Sequence, residues 1–241
     1  MVTRGTYPCA GCAAHAAGLL CNLGGLVGRR LQEERTVHAF RHGQTIFHEG
    51  MEPTALFVIS SGLVKLTSLW RGGEEHILRL HGIGEFLGYR ALLANEPYHA
   101  SAEAVEDTML CVFPAAVVRQ ALREAPEMAS GLLELLAREM RRSEDLLLDL
   151  LHRRAPQRVA RLLLSMAGWN AAGPSASIVW SSGLTHRSMA TLIGTTPETF
   201  SRVLTALKRR RILAVERDRI EILDHAALRR AADLDPDQAG A

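Results

Sequence analysis

The chain has 241 residues, 47% of them hydrophobic and 22% charged, with a formal net charge of +2. That length holds two modest domains whose cores need no disulfide staples, and the composition excludes a chain disordered throughout. No apolar run approaches the roughly 18–20 residues that span a bilayer, and the polar, Cys/Gly-rich N-terminus makes a poor secretory leader, so the expected protein is cytoplasmic and has no membrane partner.

Residues 1–30 are rich in Ala, Gly and Cys and carry three of the four cysteines: Cys9, Cys12 and Cys21. The fourth, Cys111, stands alone far downstream. In a reducing compartment, thiols at such spacing more often bind metal or do redox chemistry than form a disulfide framework. Other readings stay open at this point. Cys111 lies in an apolar run where a buried thiol is ordinary. One CxxC pair with two single cysteines matches zinc less well than two paired knuckles would.

From Thr36 to Pro114 short β-type runs alternate with turn signals. The runs include Ala55–Ile59, Leu63–Thr67 and Met109–Phe113; the turns fall at Gly43, Glu49-Gly50, Ser61-Gly62, Gly72-Gly73 and Asn95-Glu96-Pro97. Many short strands with glycine turns predict a sandwich or barrel. Beyond Ala115 the period lengthens. Leu132, Leu133, Leu136, Met140, Leu147, Leu150 and Leu151 recur at spacings of three, four and seven, which predicts a long amphipathic helix. Its apolar stripe packs either on the β-domain or on a second copy of the chain, and the second is favoured. Arg141, Arg142, Glu144 and Asp145 interrupt that stripe, as a solvated face or as like charges opposed across a two-fold axis.

Pro156 suits the first turn of a further helix running to about Met166. The segment His186–Arg211 then reads HRSMATLIGTTPETFSRVLTALKRRR. Thr185 can cap a first helix, Gly194 can make the tight turn, and Thr196 can cap a second helix that starts at Pro197. This is a helix-turn-helix. In the second helix Glu198, Ser201 and Arg202 share one polar face in the half that enters the major groove. Arg202 can fork onto a guanine and Glu198 can accept from a cytosine amino group. Arg187, Lys208, Arg209 and Arg217 suit phosphate contacts that position without specifying. The plainer alternative is two packed helices with a Glu198–Arg202 surface ion pair. A strand pair, Ile212–Val215 and Arg219–Leu223, would form the wing. No nucleophile–base constellation, HExxH or phosphate loop is present, so no catalytic residue is assigned and the chain is not expected to be an enzyme.

From about Thr36 to Asp224 the chain resembles the CRP/FNR family of bacterial transcription regulators. The likeness rests on Arg41–Gly50 (RHGQTIFHEG), Leu56–Gly62 (LFVISSG), Thr108–Pro114 (TMLCVFP) and the E-x-x-S-R pattern Glu198–Arg202. It implies an α+β chain: an N-terminal cyclic-nucleotide-binding-type β-roll, a long dimerisation helix and a C-terminal winged helix-turn-helix. The implied division is a Cys-rich segment 1–30, a β-roll 31–117, a dimerisation helix 118–154 and a DNA-binding domain 155–241. It implies a homodimer on double-stranded DNA at an inverted repeat of TTGAT-like half-sites, with RNA polymerase as a further partner if the chain activates.

The FNR branch of that family further implies a [4Fe–4S] cluster held by Cys9, Cys12, Cys21 and Cys111. Four soft thiolates suit such a cluster. The gap from Cys12 to Cys21 is longer than in the enteric type, and His15 lies within it. No cyclic-nucleotide site is expected. Tyr89 stands where nucleotide-binding relatives carry a glutamate, and His99 where they carry an arginine; a neutral imidazole does not replace a bidentate cation. The alternative is the same fold triggered by thiol oxidation, haem-bound nitric oxide or another small ligand, with no cluster.

Overall fold

The structure, a computed structural model, describes residues 2–4, 12, 14, 19–69, 73, 75–169, 177–179, 184–216 and 219–232. The chain divides into two compact units, Met1–Arg141 and Arg142–Ala241.

The first unit contains β1 (Val2–Arg4), α1 (Gly25–Glu34), β2 (Thr36–Phe40), β3 (Thr45–Phe47), β4 (Ala55–Ser61), β5 (Val64–Leu69), β6 (Glu75–His81), β7 (Phe86–Leu87), α2 (Tyr89–Ala94), β8 (Ser101–Ala104), β9 (Thr108–Pro114) and α3 (Ala115–Glu124). It also holds the first half of α4 (Pro126–His152). Two antiparallel sheets, ordered β1-β2-β9-β4-β7 and β3-β8-β5-β6, form the β-roll.

Period-two alternation explains why this unit has two cores. On β4, Phe57 and Ile59 face the space between the sheets, while Leu56 and Val58 face outward onto helices. On β9, Leu110 points between the sheets, while Cys111 and Phe113 join the outer core with Leu31 of α1, Val118 and Ala121 of α3, and Met128 of α4. A central strand buried on both faces reads as a continuous apolar run, which is how Ala55–Ile59 stands in the sequence. Gly62 follows β4 at φ +92°, and a Cβ there would lie 2.8 Å from the Thr108 backbone, so this turn accepts no side chain.

The helical region after the roll is two helices. Ala125 is extended, and Pro126 opens α4, since a residue before proline avoids the helical region and proline lacks the N–H that an earlier turn would need. The leucine repeat of α4 serves two faces rather than one. Met128 and Leu132 are buried, and Leu135 and Leu136 pack against the outer core that contains Met128. Leu133, Met140, Leu147 and Leu151, at spacings of seven, seven and four, are exposed by 57–67%. Arg141, Arg142, Glu144 and Asp145 are all exposed.

The second unit continues with α5 (Ala155–Trp169), β10 (Ser177–Val179), α6 (His186–Leu192), α7 (Pro197–Arg209), β11 (Leu213–Glu216), β12 (Arg219–Ile222) and α8 (His225–Ala231). Val159 and Leu163 of α5, Met189 of α6, and Phe200, Leu204 and Leu207 of α7 are buried. The small sheet β10-β12-β11 forms the wing. These elements make a winged helix-turn-helix, which with the β-roll and the long helix completes the set of parts expected from the sequence. Among the described residues no helix is long and apolar enough to cross a membrane.

Candidate functional site

The helix-turn-helix is built by its caps. Thr185 accepts from the Ser188 amide and Ser188 answers to the Thr185 amide, a complete capping box for α6. Thr196 accepts from the Thr199 amide and Pro197 takes the first position of α7. Each cap satisfies backbone donors that the helix start leaves over. Gly194 makes the turn at φ +60°, and its Cα leaves room for Leu150 of α4, whose Cδ2 would stand 2.7 Å from an added Cβ. The close approach at this glycine is thus to α4.

Arg158 of α5, which sequence reasoning did not single out, fixes the same turn. Its Nε donates to the Ile193 carbonyl at 2.8 Å and its Nη2 to the Gly194 carbonyl at 3.0 Å. These carbonyls end α6 and have no partner within that helix. An arginine two residues after Pro156 was the only trace of this in the sequence.

On α7 the three residues proposed to read bases share an accessible face: Glu198 and Arg202 are exposed and Ser201 is half-buried. The Glu198 carboxyl sits below the usual carboxylate range because its own amide, and then Thr196, hydrogen-bond to it. Arg202 Nη2 donates to Thr199 Oγ1 at 3.4 Å. Ser201 Oγ is 3.1 Å from His186 Nδ1, a partner the motif does not announce. Arg187 and Arg209 are exposed, and Lys208 Nζ donates to the Val215 carbonyl at 3.3 Å. Arg217 lies outside the described residues. The face therefore carries exposed charge at the capped start of a helix.

Two of the four cysteines, Cys12 and Cys111, share the outer core of the β-roll. Cys111 is buried on β9, on the helix-covered side, and half-buried Cys12 packs against the same core. Cys21 is half-buried just before α1. Arg35, at the end of α1, donates from Nη1 to Cys111 Sγ at 3.3 Å, a contact that favours a negatively charged sulfur. Cys9 lies outside the described residues. Among the described residues no three His, Cys, Asp or Glu side chains converge as a metal-binding group.

In the segment that carries Tyr89 and His99, here the cassette, Tyr89 is buried at the start of α2 and hydrogen-bonds Glu139 of α4. Burial, then the Glu139 charge, pushes its pKa up to about 12. Arg79 of β6 grips the same carboxylate through both terminal nitrogens. His99 accepts from Arg90 Nη1 at 3.0 Å, since a guanidinium only donates. Burial, then Arg90, lowers the His99 pKa. Two of the positions expected to depart from nucleotide recognition are thus engaged by neighbouring side chains.

Comparison with known proteins agrees with this architecture. Residues 37–125 match the cyclic nucleotide-binding domain model and residues 157–231 the Crp-like helix-turn-helix domain model. The chain is 37% identical over 194 residues to the cyclic AMP receptor protein of Thermus thermophilus, covering 80% of this chain and 86% of that one. The chain belongs to the CRP/FNR family of transcription regulators. It is also 26% identical over 192 residues to the fumarate and nitrate reduction regulatory protein of Vibrio cholerae, covering 80% and 76% of the two chains. Among solved structures it resembles FixK2 from Bradyrhizobium japonicum, with a TM-score of 0.72, 25% identity, and 82% and 96% of the two chains covered. As a CRP/FNR regulator the chain is a DNA-binding protein and not an enzyme, and its N-terminal unit has the ligand-binding fold of the cyclic-nucleotide type.

Proposed function

We propose that this CRP/FNR regulator acts as a homodimer on an FNR-type inverted repeat of TTGAT-like half-sites, under control of an oxygen-labile [4Fe–4S] cluster held by Cys9, Cys12, Cys21 and Cys111. The observation that carries the sensing part is the direction of Cys111. Strand alternation turns its sulfur away from the roll interior and into the core where Cys12 packs. The donor set fits the group: four cysteines, all on one chain, three of them in residues 1–30, and Arg35 poised to offset negative charge on the fourth. The likeness to the Vibrio cholerae regulator supports the same branch. When bound, the cluster supplies an oxygen-sensitive tie between the N-terminal segment and β9.

The chain's own residues do the rest. Residues 1–30 bring three of the thiols, and Cys12 packs against the outer core that holds Cys111 and includes residues of α1 and of the start of α4. The exposed stripe Leu133, Met140, Leu147 and Leu151 supplies the apolar seam for a second copy. Dimerisation sets two α7 helices one DNA turn apart, about 34 Å. Glu198, Ser201 and Arg202 then read base edges, while Arg187, Lys208, Arg209 and Arg217 hold phosphates. RNA polymerase is a further partner where the protein activates.

Anaerobic purification with iron and acid-labile sulfide assays, followed by binding to the inverted repeat before and after air, tests this. About four irons and four sulfides per chain and air-sensitive DNA binding are expected. A second reading, a thiol-oxidation switch, takes its support from the Arg35 contact to Cys111. Under that reading the purified protein is colourless, iron-free and still binds the repeat.

A further inference from the structure

Gly131 stands inside α4, two residues before the exposed stripe begins at Leu133, and glycine is among the least favourable residues for a helix interior. The space beside it is filled by Leu19. A Cβ at position 131 would lie 2.3 Å from Leu19 Cδ1, 3.0 Å from Cδ2 and 3.2 Å from Cγ. The whole branched end of the leucine sits in the notch, so turning one methyl away would not clear it. With ordinary carbon contacts at about 3.5 Å, a methyl at 131 displaces Leu19 by roughly 1.2 Å.

Leu19 belongs to the cysteine-bearing segment and lies two residues before Cys21. Its neighbour Leu20 is fully buried, and the Leu20 carbonyl accepts from Gln32 of α1 at 3.4 Å. Leu19, Cys12, Cys111, Met128, Leu135 and Leu136 all belong to or pack on one core. The segment is therefore anchored to α1 on one side and keyed into α4 on the other.

We propose that Leu19, seated in the Gly131 notch, is the positioning residue through which the state of the cysteine segment reaches α4. This rests on the cluster reading above. With the thiols tied to β9, Leu19 stays in the notch and holds the turns around 128–136 in one place on the β-roll. When the tie is lost, the knob leaves, and those turns settle differently. Since α4 is continuous, the stripe that starts at Leu133 moves with them.

The test compares wild type, Leu19→Ala, Gly131→Ala and the double variant as full-length chains. Iron and sulfide content is measured for each, with dimerisation constants by sedimentation in loaded and metal-free forms and amide exchange over residues 128–136. Expected is full loading of the single variants, with the loaded-to-metal-free ratio of dimerisation constants reduced at least tenfold. Exchange over 128–136 should no longer respond to loading. In the double variant, the new methyl occupies part of the vacated notch, so α4 regains protection without regaining coupling. A Leu19→Ala chain that loads iron and keeps the wild-type ratio within twofold overturns the proposal. An iron-free wild type instead defeats the cluster reading. The same comparison is then made between reduced and oxidised thiols, and an unchanged ratio in Leu19→Ala overturns the coupling there too.

Discussion

Glu139→Gln probes the contact between the cassette position and α4. The carboxylate of Glu139 accepts from both terminal nitrogens of Arg79 and from the Tyr89 hydroxyl, with side-chain exposures of 12% for Glu139 and 28% for Arg79. An exposed pair contributes about 0–1 kcal/mol, and breaking a fully buried one costs about 3–5 kcal/mol. Partial burial places this pair between, so the neutral amide should cost about 2 kcal/mol locally. Converted at 1.36 kcal/mol per tenfold, that is roughly a 30-fold faster exchange of amides in α2 and around residue 139. Tyrosine titration supplies an independent readout. Tyr89 keeps its proton in the folded state to about pH 12, well above the ordinary value of 10.0, whereas the unfolded chain loses it near the ordinary value. Between those two values the folded state binds more protons, so stability falls as pH rises, by about 2–3 kcal/mol over the interval, and is fully retained below it. In Glu139→Gln the Tyr89 pKa should drop but stay above 10, because burial is the larger cause and remains. Unchanged exchange together with an unchanged tyrosine titration would show that the contact is not formed in solution.

Other predictions follow the same route from contact to measurement. Thr196→Ala removes the cap of α7 and should cost about 1 kcal/mol, read as a lower Tm of the second unit. Arg202→Ala should lose about 1–3 kcal/mol of DNA affinity and relax preference at one base pair, whereas Lys208→Ala should weaken all sequences alike and lower the salt slope by about 1. Gly62→Ala, forced to φ +92° with its methyl against the Thr108 backbone, should destabilise the β-roll by about 3 kcal/mol in urea unfolding. Leu147→Glu places a charge in the exposed stripe of α4, where it should shift sedimentation to monomer and leave the circular dichroism spectrum unaltered. A dimer of wild-type strength would remove that stripe from the interface.

Local chemistry made the DNA-binding half easy to read. Thr185, Gly194, Thr196 and Pro197 each answer a local backbone demand, and each stands where its sequence neighbours place it. The strands were legible for the same reason, since Gly62 and the apolar run before it mark a turn and a central strand. Long-range partners were not. Nothing adjacent to Arg158 announces that it caps the turn 35 residues away, and nothing near Glu139 announces Arg79, 60 residues earlier. The two faces of α4 were likewise merged in the sequence, because Leu132 and Leu133 are chemically identical and only the packed β-roll tells them apart.

That distinction matters for how a signal could cross this family's fold. On α4 the inward positions Met128, Leu132, Leu135 and Glu139 repeat at spacings of four, three and four, while the exposed series starts at Leu133 and repeats at seven. Both series lie on one helix, whose residues rise 1.5 Å each, and adjacent positions are separated by a fixed rotation. The inward series is gripped at two heights, by Leu19 at Gly131 and by Arg79 and Tyr89 at Glu139. Those grips come from different parts of the chain: the cysteine segment, and β6 with the start of α2 in the roll. A helix held at two points two turns apart cannot rotate at one without straining the other. Releasing only the Leu19 grip should therefore change α4 less than releasing both. The combined Leu19→Ala/Glu139→Gln chain should thus show a coupling term in dimerisation that neither single change contains.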